Sequence, residues 1–156
     1  MSYTLTAAFG LALLFLAPPG GLRAARLELA AGADINAAIR TAHAGVRLGL
    51  APGRYPGPVR LDRAVTLEGP ATAVIFSNGV GSTVRLEKEG AVLSGVSVEG
   101  SGDRYDEQDA AVWVGANGCR VEGVTVHGAL FGIVVEKAHR VEVRANRIVG
   151  DPADPV

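Results

Sequence analysis

The sequence predicts an all-β protein, a parallel β-helix with a short N-terminal capping helix. Three observations predict it. A block repeats: Leu93–Gly100 (LSGVSVEG) returns as Val121–Gly128 (VEGVTVHG) and more loosely as Val143–Gly150 (VRANRIVG). Its closing glycines, Gly100, Gly128 and Gly150, stand 28 and 22 residues apart, and a period in this range built from β-type segments marks a stacked solenoid. Hydrophobic residues make up 48% of the chain but aromatics only 5%, so the apolar mass is Ala, Val, Leu and Ile, suited to thin stacked layers. The 21 glycines fall largely at segment ends, where turns need them.

At the N-terminus, Leu5 to Ala17 is an apolar run followed by Pro18-Pro19-Gly20-Gly21. It is short for a membrane span and fits the core of a secretory signal over residues 1–25; an uncleaved anchor and a buried helix are the alternatives. Residues 26–45 come next. Arg26-Leu27-Glu28-Leu29 alternates as a strand. Ile35, Ile39 and Ala42 then share one face at helical spacing, with Asp34 as N-cap and Gly45 placed to end the helix. Such a helix covers apolar residues of the first coil that would otherwise meet water.

Residues 46–156 read as coils. Short strands are expected at 46–50, 59–61, 64–67, 74–76, 83–86, 92–93, 96–98, 111–114, 121, 124–126, 132–135, 141–143 and 147–149, separated by Gly, Pro, Asn or Asp. Strands of three or four residues suit parallel pairing with their equivalents one coil above and below. The rungs align as Val84/Val112/Ile133 and Leu86/Val114/Val135 facing inward, with Arg85, Trp113 and Val134 facing out. The longer spacing comes from an insertion, Ser101 to Asp109, a polar loop with four acids. Asn146 stands where Val96 and Val124 stand, and is expected to hydrogen-bond backbone of the neighbouring coil. The chain reaches Val156 in mid-repeat, which reads as an incomplete C-terminal end or one that a partner covers.

The net charge of −1 gives no field to attract nucleic acid. A single cysteine, Cys119, excludes an intramolecular disulfide. There is no phosphate-cradling loop opening a helix, no nucleophile elbow and no paired zinc motif. Among outward positions no column holds two carboxylates, as a polysaccharide lyase or hydrolase would need. Trp113 and Tyr105 could stack a sugar ring, which keeps a polysaccharide ligand as the rival reading. Asp103, Asp106, Glu107 and Asp109 could attract a hard cation but lack the spacing of a calcium loop, and a solvated turn is the weightier reading.

The segments Leu50-Ala51-Pro52-Gly53-Arg54-Tyr55, Val65-Thr66-Leu67-Glu68-Gly69 and Gly90 to Gly102, with Asn146-Arg147-Ile148-Val149-Gly150 as an Asn-x-Ile-x-Gly turn, resemble the NosD family. The resemblance runs over about residues 27 to 150. It departs at Gly45-Val46, where the family has Gly-Asp, and the family is much longer. It implies a right-handed, pectin-lyase-like parallel β-helix, exported to the periplasm. It also implies a non-catalytic accessory role beside an ABC transporter in maturation of the copper centre of nitrous oxide reductase. Copper would favour soft ligands, and the residues on offer are Cys119, His127, His139 and His43. Cys119 with His139, one coil apart at one corner, is the better geometric pairing. A buried thiol and a solvated turn histidine are the ordinary reading of the same residues.

Overall fold

The computed structural model describes residues 24–150. The expected secretory segment lies outside the described residues except for its last two, and so does the terminal stretch 151–156. β1 (Arg26–Leu29) leads into α1 (Ile35–Thr41). One coil then runs through β2 (Arg47–Leu50), β3 (Gly53–Pro56) and β4 (Val59–Leu61). The next contains β5 (Thr66–Glu68), β6 (Ala73–Phe76) and β7 (Val84–Leu86), and the third β8 (Val92–Ser94), β9 (Ser97–Glu99) and β10 (Ala110–Val114). The fourth contains β11 (Arg120–Glu122), β12 (Thr125–His127) and β13 (Phe131–Val135), after which β14 (Glu142–Arg144) and β15 (Arg147–Val149) open another.

Each strand pairs only with its equivalents on adjacent coils, always parallel, which makes three sheets. Their orders are β1-β2-β5-β8-β11-β14, β3-β6-β9-β12-β15 and β4-β7-β10-β13. The chain is therefore a parallel β-helix of about six turns with one short helix. The register is the one the repeat dictates. Val112 pairs with Val84 and Ile133, and Val114 with Leu86 and Val135. Val121 pairs with Leu93 and Val143, and Val126 with Val98 and Ile148. Because side chains alternate along a strand, one residue of register fixes which column is inside. The inner columns are aliphatic apart from Tyr55, and closed to water from Leu48 to Val126.

Local chemistry explains the corners. Gly95 turns the chain between β8 and β9 at φ +77, and a Cβ there would run into the Gly69 carbonyl of the previous coil. Only glycine combines that backbone with that approach. At the equivalent corner of the last coil Ala145 holds φ +54, in a region that costs a Cβ-bearing residue roughly 1 kcal/mol.

The helix closes the N-terminal end. Asp34 caps it by accepting from the Ala37 amide at 2.9 Å, and Ile35 and Ile39 are buried in the core. Asn36 replaces a missing strand: its amide group donates to Pro58 O at 2.8 Å and accepts from the Arg60 N–H at 3.0 Å, satisfying the edge of β4. Two expectations need correction. The helix ends at Thr41 with Ala42 as its C-cap, before Gly45, which instead turns the chain into β2 with its N–H on Ala64 O at 2.7 Å. Residues 53–56 fall between the expected strands 46–50 and 59–61, yet they form β3, which carries Tyr55, the largest fully buried side chain. The Tyr55 hydroxyl bonds Ala51 O at 2.7 Å and Leu29 O at 3.1 Å, so it ties the first coil to β1.

Candidate functional site

An exterior of short strands offers its chemistry in columns, since equivalent residues on successive rungs stand about 4.8 Å apart. On the sheet of β4, β7, β10 and β13 the outward column reads Arg60, Arg85, Trp113 and Val134. The Arg85 guanidinium lies 3.8 Å from the centre of the Trp113 ring, a cation–π contact. The indole N–H donates to Glu136 at 3.3 Å. Glu87 joins the column from the side, taking Arg60 at 2.6 Å and Arg85 at 2.8 Å. Burial pushes the Glu87 carboxyl up, but the two arginines outweigh it and hold it below the usual carboxylate value.

On the sheet of β3, β6, β9, β12 and β15, Arg54 reaches across the Phe76 ring, 4.9 Å from its centre, to grip Glu99 at 2.6 and 3.3 Å. That grip lowers the Glu99 carboxyl, burial opposes it, and His127 on the next rung adds to the lowering. On the third sheet Arg47 and Arg26 both meet Glu68, Arg120 meets Glu142 at 2.9 Å, and Arg144 meets Glu122 at 2.6 Å. The exterior is thus a set of ion-paired ladders running along the solenoid axis.

The sequence-predicted site residues separate on this frame. Cys119 is buried in the core, 1% exposed, with its thiol donating to Lys88 O at 3.3 Å. Burial pushes its pKa up, against the opposing amides of Ala91 and Gly90. His139 lies on the neighbouring coil at that corner, where its N–H meets Asn117 Oδ1 at 2.8 Å, but its side chain is exposed. His127 is exposed on another sheet, in register with Glu99 and Val149. Among the described residues no three His, Cys, Asp or Glu stand together as a metal set. A protonated thiol facing the core and two separated surface imidazoles do not fit a resident copper ion.

The acidic insertion also divides. Asp109 turns inward, 4% exposed, and accepts from the Arg104 N–H at 3.1 Å, stapling the loop. Glu107 and Asp106 flank the Arg104 guanidinium at 2.9 and 3.7 Å, and Asp103 is left to solvent. Tyr105 is exposed and packs edge-on against Phe131 at 5.5 Å, above an open cleft of about 300 Å³ lined by Ser101, Asp103 and Leu130. Trp113 has Arg85 over its ring while Tyr105 leans on Phe131, so the two aromatics serve different neighbours.

The sequence reading missed the Arg54–Phe76–Glu99 ladder because it missed β3. It also missed the Arg85 cover on Trp113, although its own alignment put the two residues on one column. An arginine beside a tryptophan on adjacent rungs was the available signal.

The expectation that no outward column holds two carboxylates needs correction: the column Glu28, Gly49, Glu68, Ser94, Glu122, Arg144 holds three, each two rungs from the next and each ion-paired, to Arg26, Arg47 and Arg144 respectively. Fold and exterior together define a class: a parallel β-helix whose outward charges are paired along the solenoid axis. Comparison with known proteins narrows it. The chain is NosD-like. It is 35% identical over 143 residues to the "Probable ABC transporter binding protein NosD" of Pseudomonas aeruginosa, covering 90% of this chain and 31% of that protein. It is 27% identical over 104 residues to the protein of the same description from Stutzerimonas stutzeri, covering 65% of this chain and 24% of that one. The chain therefore spans about a third or less of the length of the curated relatives it matches. No family model and no solved structure matches it.

Proposed function

We propose that this chain is the β-helix portion of a non-catalytic periplasmic accessory protein. It works with an ABC transporter in maturing the copper centre of nitrous oxide reductase. The observation that carries the reading is the similarity to two proteins described as ABC transporter binding proteins, over up to 90% of this chain. The exterior supports it. Outward charges are spent on one another along the ladders, which makes a stiff rod presenting a patterned surface to other proteins. Periplasmic export rests on the apolar segment Leu5 to Ala17.

On this reading copper is cargo of the assembly, and no resident copper site at Cys119, His127 or His139 is part of the proposal. A polysaccharide-binding role is the alternative. It would need a free aromatic platform, and Trp113 has Arg85 on its ring.

The experiment is to express the reductase in a host that carries the transporter, with and without the gene for this protein. The copper content of the purified reductase is then measured. Loss of copper without the gene supports the accessory role; a fully loaded reductase in both hosts rejects it.

A further inference from the structure

The chain holds four asparagines, at 36, 78, 117 and 146, and two of them precede glycine: Asn78-Gly79 and Asn117-Gly118. In such a pair the main-chain nitrogen of the glycine stands one ring closure from the side-chain carbonyl carbon, and no Cβ on the glycine obstructs the approach. The fold treats the two pairs differently. Asn117 is half-buried and tied to the next coil twice. Its Oδ1 accepts from the His139 N–H at 2.8 Å, and the Gly118 N–H donates to His139 O at 2.9 Å. The nitrogen that would attack is therefore part of the coil stacking itself.

Asn78 and Gly79 are exposed in the corner between β6 and β7, and a Cβ on Gly79 would meet nothing within 4 Å. The hydrogen bonds that hold them are local. The Gly79 N–H donates to Ser77 Oγ at 2.9 Å, and the Val80 N–H donates to Asn78 Oδ1 at 3.1 Å. That pattern favours attack of the Gly79 nitrogen on Asn78 Cγ. A hydroxyl oxygen is in place to receive the nitrogen's proton, and an N–H faces the oxygen on which negative charge collects.

We propose that Asn78 is a site of spontaneous modification, converting through a cyclic imide to aspartyl and isoaspartyl products, while Asn117 is shielded by its coil. In the first step the Gly79 nitrogen gives up its proton and bonds Cγ. The bond from Cγ to Nδ2 breaks, and Nδ2 leaves as ammonia with that proton. Water then adds to one of the two ring carbonyls. Addition at Cγ leaves an aspartate. Addition at the main-chain carbonyl leaves the chain running through Cγ, an isoaspartyl link longer by one methylene. Either product adds one negative charge to the net −1 of the chain. The change falls where the insertion joins the rod, since the Gly102 N–H is anchored on Gly81 O at 2.8 Å.

The test incubates the full 156-residue chain in mildly alkaline buffer, folded and in urea, and maps both sites by tandem mass spectrometry. In the folded chain Asn78 should convert about tenfold or more faster than Asn117, because attack by the Gly118 nitrogen needs prior opening of its corner. In urea the two rates should converge. The product at position 78 should be a mixture of isoaspartate and aspartate, preceded by a form that has lost ammonia. The more acidic species that builds up on anion exchange should be absent from Asn78→Gln, a change at an exposed position. Equal rates at the two sites in the folded chain would overturn the proposal. So would aspartate without isoaspartate, which is the outcome of direct hydrolysis by water.

Discussion

Asn146 is the residue whose role follows most directly from the repeat. Valines occupy its column at 96 and 124, so an amide there must find polar partners or lose the packing. It accepts from the Val124 N–H and donates to Val121 O, both at 2.9 Å, restoring across a corner the pairing a strand would give. Asn146→Ala strands both groups and should cost about 1–3 kcal/mol. Asn146→Asp keeps the acceptor and loses the donor, and should fall between. Urea midpoints of the three proteins at constant m-value check this. The same periodicity could not say what Cys119 does. It aligned Cys119 with Ala91 at one corner, but corner residues lack the strict in-out alternation of a strand. Only the fold turns the thiol inward, onto Lys88 O, and leaves the His139 imidazole outside.

At the scale of the element, strands with aliphatic cores were legible to within a residue or two, because Val and Leu at alternate positions leave one choice of face. β3 was not, since its ends are Gly53 and Pro56, both of which read as turn. A turn assignment cannot register that Tyr55 stands at the position held by Ile75, Val98 and Val126 on later rungs. Charged ladders were invisible for another reason: their partners are a full coil apart in sequence, as Arg60 and Glu87 are. That ladder sets an acid response. The folded-state pKa of Glu87 lies below the ordinary carboxylate value, so its stabilisation is complete above about pH 4.5. It is lost as the pH falls through that value toward the folded one. Glu87→Gln should therefore cost roughly 0.5–1 kcal/mol at neutral pH, allowing for the solvent exposure of Arg60. The gap between variant and wild type should narrow as the pH falls below the ordinary carboxylate value. Chemical denaturation at neutral and at acidic pH measures it; an unchanged gap would assign the loss to packing.

For the whole molecule, the fold was readable because a solenoid writes its third dimension into its period. The stacking that makes it readable also makes its stability directional. Each coil touches only the coils beside it, so local opening free energy depends on how many neighbours remain and on what closes each end. The N-terminal end has α1, with Ile35 and Ile39 buried, the Asn36 bridge and the Tyr55 tie to Leu29 O. The strands β7 to β12 have neighbours on both sides and inner residues closed to water. Among the described residues, the strands β13, β14 and β15 each have one neighbour, and Val135, Val143 and Ile148 on them are about half exposed. Opening should begin there and move toward the helix. Amide hydrogen exchange in dilute protein should then rank β13–β15 fastest, β1–β3 intermediate and β8–β11 slowest. The spread should be of several decades, since opening energies run from near zero to the global value. Uniform protection along the axis would mean that the coils open as a single unit, and that the end of the rod is no weaker than its middle.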